Sequence, residues 1–333
     1  MKLLYFPDLP GLNSFGIQIP VHDTRAKKTL EELRKHPDIG PRLDGLLTNK
    51  CMEIISLEDI ARAHSEAYVH SLYSEKREQL LVEAYELLDA EGNYNRYDPS
   101  LAKKPLTAIF DVQLERVAGS LQAMRTALTE GACFHFAGGF HHAHAAFGHG
   151  FCFVNDIVIG IRRLQHEQAV HRVWVIDTDA HKGDGTAAIT VSDPSIATLS
   201  IHMAKGWPLD YPEFDQAGRR HPSFTPSTVD IPIEEGQEMD YCGMLARGLD
   251  VLNQSLPKPD LAVIVYGADP YEYDELESAR PLKLSLARLK QRDKLVYRFL
   301  NDAHIPAAYL MAGGYGPRAW EVYYQFLEWV LSL

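Results

Sequence analysis

Residues 173–186 read VWVIDTDAHKGDGT, and the fold follows from how this stretch is read. Val173, Trp174, Val175 and Ile176 form an unbroken run of β-branched and aromatic residues, the pattern of a strand buried on both faces. Immediately after it come Asp177, Asp179, His181 and Asp184, with Gly183 and Gly185 between the last of them. A buried strand that ends abruptly in titratable side chains belongs to a parallel α/β sheet, where sites gather beyond the carboxyl ends of the strands.

Working outward, similar short apolar runs recur as KLLYF (2–6), CFHFA (133–137), ATLSI (197–201), LAVIVY (261–266) and AAYLM (307–311). Helical periodicity lies between them, clearest over 110–128, 156–165, 239–256, 284–301 and 318–331. This alternation predicts an α/β fold with a central parallel β-sheet flanked by helices on both faces. No Gly, Pro and Ser-rich linker, internal repeat or low-complexity segment divides the chain, so residues 1–333 are expected to form a single domain. The polar stretches 91–105 and 204–227 are expected to be binding-site walls or lids, the usual use of long loops in a compact domain.

Composition excludes several classes. With 46% hydrophobic and 23% charged residues, and no run of 18 apolar residues, the chain can bury a core and is not expected to span a membrane. The opening MKLLYFPDLPGLNSFGI has too short an apolar stretch before Pro7 and Asp8 for a secretory signal and reads as a first strand. Cys51, Cys133, Cys152 and Cys242 lack CxxC spacing, so neither a thiolate zinc site nor a disulfide framework is indicated, and a reducing cytoplasm fits. A net charge of −12 disfavours nucleic acid and suits a basic substrate.

The chemistry sits at the strand ends. In extended backbone, side chains at i, i+2 and i+4 share a face, so Asp177, Asp179 and His181 can converge, and Asp269 after LAVIVYGA can join them. Two carboxylates and one imidazole suit a catalytic Zn²⁺ with a position left open for water, because closed structural sites use four protein ligands. His141 and His142 follow Gly138-Gly139 and suit proton transfer, with Asp177 and Asp184 available to orient their second ring nitrogens. His144 and His149 continue the cluster, but nothing in the metal spacing requires them, and they are expected to be structural or loop residues. His135, inside an apolar strand, is expected to be a satisfied core histidine. Tyr315, after Gly313-Gly314 at another strand end, can aim its phenol into the same crevice as an oxyanion donor.

Assembled, these residues resemble the histone deacetylase superfamily, which has the arginase/deacetylase α/β fold. The resemblance is carried by GGFHHA (138–143), GFCFVND (150–156), DTDAHKGDGT (177–186), LSIH (199–202), GAD (267–269) and GGY (313–315), in the family's order. It covers about residues 130–320, and the GADPYEYDELESARPLKLSLARLKQRD stretch (267–293) with the plain AGGYG ending (312–316) is similar to the short bacterial or class IV members. The resemblance implies that Asp179, His181 and Asp269 bind zinc, with Fe²⁺ as the alternative. It also implies His142 as general base and acid, His141 as its electrostatic partner, and Asp177 and Asp184 as their orienting carboxylates. Tyr315 would polarise the carbonyl, Gly150 and Phe151 would line the acyl tunnel, and Asp98 would grip substrate backbone at the rim. A K⁺ or Na⁺ ion would involve Asp177, Asp179, His181 and Ser200. Three departures stand out: HKGDG carries Lys182 where many members have a second histidine, Ala312 replaces a further glycine, and MAKGWPLDYPEF leaves Trp207, Leu209 and Tyr211 open as the second tunnel wall.

The function implied is zinc-dependent hydrolysis of an acyl-amide, N⁶-acetyl-lysine first among substrates, with an acetylpolyamine or another small amide as the alternative. A non-catalytic acyl-lysine reader is the rival from another class; the full ligand set together with Tyr315 argues against it. A haloacid dehalogenase-like phosphotransferase would share the DxD of VIDTD but expects Thr or Val where this chain has His181. Arginase-like binuclear chemistry would need further Asp and His ligands. Oligomeric state is not legible in the sequence.

Overall fold

The computed structural model describes residues 1–21 and 24–333. Among the described residues, eight strands form one sheet: β1 (Lys2–Leu4), β2 (Leu47–Thr48), β3 (Ala132–His135), β4 (Val173–Asp177), β5 (Ile196–Met203), β6 (Val229–Ile233), β7 (Leu261–Tyr266) and β8 (Ala307–Met311). Their order is β2-β1-β3-β8-β7-β4-β5-β6, and every pairing is parallel. The α/β expectation therefore holds.

Side-chain alternation explains why the apolar runs are continuous. Val173 and Val175 of β4 join one core cluster, while Trp174 and Ile176 join the other. In β7, Leu261, Val263 and Val265 pack with the first, and Ala262, Ile264 and Tyr266 with the second. Each face is covered by helices. Ile109–Glu130 and Asp156–His166 bury residues in the first cluster; Thr24–Lys35, Tyr241–Ser255, Leu286–Asp302 and Trp320–Leu331 pack on the second. Helix ends follow their capping residues. Asn155 accepts a bond from the Val158 N–H, Ser285 accepts one from Arg288, and Gly131, at φ 80°, stops the longest helix.

Strand order fixes the position of the site. β4 leads to its neighbour β5 on one side, whereas β7 leads to its neighbour β8 on the other. The loops leaving β4 and β7 therefore diverge and open a crevice at the carboxyl ends of these two adjacent strands. No helix among the described residues is long and apolar enough to cross a membrane.

Candidate metal and acyl-transfer site

The loops at the ends of β4 and β7 bring Asp179, His181 and Asp269 together, with one potential ligand atom from each lying within 4.8 Å of the others. His181 Nδ1 is 2.9 Å from Asp269 Oδ2 and 3.1 Å from Asp179 Oδ1. Its other nitrogen, Nε2, lies 3.0 Å from Ser278 Oγ, which leaves Nδ1 as the inward-facing donor atom. The remaining carboxylate oxygens are held by backbone: Asp269 Oδ1 accepts from Ala180 N–H at 3.1 Å and Asp179 Oδ2 from Gly313 N–H at 3.0 Å. Burial and the neighbouring Asp179 push Asp269 up to about 6, the behaviour of two carboxylates buried side by side. This donor set fits a divalent ion: two carboxylates, one imidazole, and both outer partners already placed.

Beside the triad lie two histidine–carboxylate pairs. His141 Nδ1 is 2.6 Å from Asp177 Oδ2, and His142 Nδ1 is 2.8 Å from Asp184 Oδ1. The two imidazoles lie tilted against each other with centroids 3.9 Å apart, yet their electrostatics differ. Burial opposes charge on both. For His141 it is outweighed by Asp177 and Asp179, which raise the ring to about 9. For His142 burial prevails, reinforced by the charge on His141, and the ring is held well below its ordinary value. Asp184 stays ionised against its own burial because His142 and His144 hydrogen-bond to it. His142 Nδ1 therefore donates to Asp184, and Nε2 keeps its lone pair.

The loop carrying these histidines is braced by Asp156, whose carboxylate accepts from the backbone N–H groups of Gly139 (2.9 Å) and Phe140 (2.6 Å) and from Ser120 Oγ–H (2.5 Å). Gly139 itself, at φ 74°, packs so closely on Ala312 that a side chain there would clash. Tyr315 enters from the end of β8. Its N–H donates to Asp274 Oδ2 at 2.7 Å, while Arg25 donates to the carbonyls of Ala312 (2.8 Å) and Gly314 (3.0 Å) and Tyr323 to that of Gly313 (2.6 Å). The Ala312 departure thus sits in a turn tied at four consecutive residues. Burial drives the Tyr315 phenol well above its ordinary value, so it remains a proton donor.

Phe151 lines the same cavity, of about 380 Å³, as Tyr315, with ring centroids 6.4 Å apart. Of the three candidates left open for the opposite wall, Trp207 reaches the site: its ring is 4.5 Å from His142 and 5.5 Å from His181, centroid to centroid. Gly150, at φ 57°, lies between, and a Cβ there would collide with Trp207 and His142. Asp98 is half-buried, caps a 3-10 turn, and accepts from Ser100 N–H (2.9 Å) and Oγ–H (2.6 Å). Ser200 pairs in register with Asp177 and hydrogen-bonds His202 Nδ1 at 3.0 Å. Lys182, the residue in place of a second histidine, is buried and paired with Asp230 Oδ1 at 2.7 Å, away from the histidine pairs.

His144 and His149 are more than loop residues. Both ring Nε2 atoms approach Asp184 Oδ2, at 3.1 and 3.0 Å, so three histidines and Ser223 (2.5 Å) surround one carboxylate. Sequence reasoning also passed over Asp274, on a loop, and Ser278 and Ser223, each in a three-residue 3-10 turn with no periodic pattern to mark it. Asp156, in GFCFVND, is part of a quoted motif. His135 is buried and neutral as expected, pushed down to about 3 by burial.

Comparison with known proteins agrees with this geometry. The histone deacetylase domain model matches residues 19–327. The chain is 33% identical over 214 residues to an uncharacterized protein of Picosynechococcus, an alignment covering 64% of this chain and 65% of that one. It is 28% identical over 277 residues to histone deacetylase 2 of Arabidopsis thaliana (82% and 65%), and 25% over 312 residues to a probable deacetylase of Archaeoglobus fulgidus (90% and 77%). The chain thus aligns with just under two thirds of the length of the first two. With the domain model spanning nearly its whole length, and the paired histidines, acidic triad and turn tyrosine placed around one crevice, the chain belongs to the histone deacetylase family.

Proposed function

We propose that the chain is a zinc-dependent deacylase, a single catalytic domain over residues 1–333 that removes an acetyl group from a lysine side chain. The observation that carries this reading is the neutral His142, hydrogen-bonded to ionised Asp184, beside three donor atoms that fit a divalent ion. Bound at Asp179, His181 and Asp269, Zn²⁺ supplies Lewis-acid polarisation of the acyl carbonyl and of the attacking water. His142 Nε2 takes the proton of that water and returns it to the departing amine. The His141 imidazolium, fixed by Asp177, offsets negative charge as it develops. Tyr315 donates its phenolic hydrogen to the carbonyl oxygen, and the turn that ties its backbone sets its position in advance.

Phe151, Gly150 and Trp207 are assigned to the walls of the acyl tunnel, and Asp98 to the rim, where it would hold substrate N–H groups. A monovalent ion would sit by Asp177, Asp179, His181 and Ser200. The test is a panel of acyl-lysine peptides and acetylated polyamines assayed with zinc-loaded protein and with His142→Ala. Acetyl-lysine turnover by the parent and a loss of about 10² to 10⁴ in the variant is the expected result. Equal turnover by both chains would remove His142 from the chemistry.

A further inference from the structure

The histidines around Asp184 form a second donor group, separate from the Asp179–His181–Asp269 triad. His142, His149 and Asp184 each present a ligand-type atom within 4.8 Å of the other two. His149 is the unusual member. Its Nε2 is buried and 3.0 Å from Asp184 Oδ2, a close contact to the carboxylate that falls short of good hydrogen-bond geometry. A ring nitrogen this close to a carboxylate without a well-aligned hydrogen bond is placed to share an ion with it. The carboxylate is firmly placed, since His144 and Ser223 also bind it. His149 keeps 14% of its side chain exposed next to Trp207, so the group can be reached from solvent.

We propose that His142, His149 and Asp184 form a second, weaker divalent-cation site, at which excess Zn²⁺ arrests the enzyme. Two imidazoles and a carboxylate are a donor set that zinc accepts readily. To bind, the ion displaces the Nδ1 proton of His142, which passes to solvent, and takes the place of the His142–Asp184 hydrogen bond. That displacement, and the presence of only one carboxylate, make the site weaker than the triad. Binding at Nδ1 removes the hydrogen bond that supports a protonated ring, so His142 can no longer carry the proton to the amine. The arrest rests on His142 being the general base; the binding does not.

The test counts metal and turnover together. Protein carrying one equivalent of Zn²⁺ is dialysed against rising free Zn²⁺, with metal per chain measured and acetyl-lysine hydrolysis followed. Uptake should rise from one ion per chain to two, while turnover falls in step by about 10² or more. His149→Gln and His149→Ala, each checked for unaltered thermal unfolding, should stop at one ion and keep their own turnover at the zinc level that arrests the parent. Asp269→Asn separates the two readings, because it should lose the tight ion and still take up the weak one. A parent that never exceeds one ion, or His149 variants that bind two and are arrested like the parent, would overturn the proposal.

Discussion

In the proposed mechanism Tyr315 acts through one hydroxyl, and its surroundings determine what the loss of that hydroxyl does. The ring packs near Phe151, while the backbone is held by Asp274. Tyr315→Phe should therefore keep fold and metal, and lower kcat by roughly 10² or more with little change in KM, measured by steady-state hydrolysis of an acetyl-lysine peptide. Ser278 has the opposite character: it acts through another residue. It fixes His181 Nε2 and so aims Nδ1 at the two carboxylates. Ser278→Ala should weaken Zn²⁺ retention about 10 to 100-fold in a chelator competition, with activity restored at higher zinc. Activity that stays low in saturating zinc would show that Ser278 does something other than orient His181.

At the level of elements, the ends of β4 and β7 are tied together from beneath. Arg292, fully buried on the Leu286–Asp302 helix, donates to the carbonyls of Thr178 (3.1 Å) and Gly267 (2.8 Å) and pairs with Asp293 at 2.8 Å. Those two carbonyls belong to the loops that carry Asp179 and Asp269. Arg292→Met leaves Asp293 buried without its cation, so it should cost about 3 to 5 kcal/mol in denaturant unfolding and loosen metal retention as well. Gln291→Ala, at an exposed position of the same helix, should cost under about 0.5 kcal/mol. None of this tie could be read from the sequence, where Arg292 looks like one more charge in LARLKQRD. The elements themselves were legible in proportion to their burial. β4, β7 and β8 lie inside the sheet and give unbroken apolar runs. β6 is an edge strand, half exposed, with Pro232 in it, and VDIPI carries no such run. The residues that gather in the crevice, Asp179, His181, Asp269, His141 and His142, were legible because each follows a strand end. Ser278, Asp274 and Ser223 were not, because loops 267–285 and 204–227 fold back over the site through tertiary contacts that leave no periodicity.

Across the whole molecule, the N-terminal third meets the site loop through short helices that the sequence reading did not single out: Leu57–Ala61, Glu66–Leu72 and Arg77–Ala84. Ser65 N–H donates to the carbonyl of Ala145 (2.7 Å), Tyr68 Oη–H to that of Phe153 (2.7 Å), and the Phe151 N–H to that of Ala84 (2.9 Å). His64 is the centre of this seam. Nδ1 donates to the His144 carbonyl at 2.9 Å, and Nε2 accepts from the Asn155 N–H at 3.0 Å, a pattern only the neutral ring can satisfy. Burial accordingly pulls it down to about 4. An unfolded histidine ionises near 6.5, so between pH 6.5 and 4 the unfolded chain binds a proton that folded His64 refuses. Its contribution is complete above pH 6.5 and is lost as pH falls towards 4, by roughly 3 kcal/mol in all. The total stability curve mixes this with opposite contributions, because Asp274, raised to about 8 by burial and Asp269, binds its proton more tightly folded than unfolded. A difference measurement isolates His64. His64→Gln keeps a donor and an acceptor but does not titrate, so the gap between parent and variant in denaturant unfolding should narrow steadily as pH is lowered from 7 to 4.5. A gap that stays constant over that range would mean that folded His64 accepts its proton as readily as the unfolded chain does, and that the seam tolerates a charged ring.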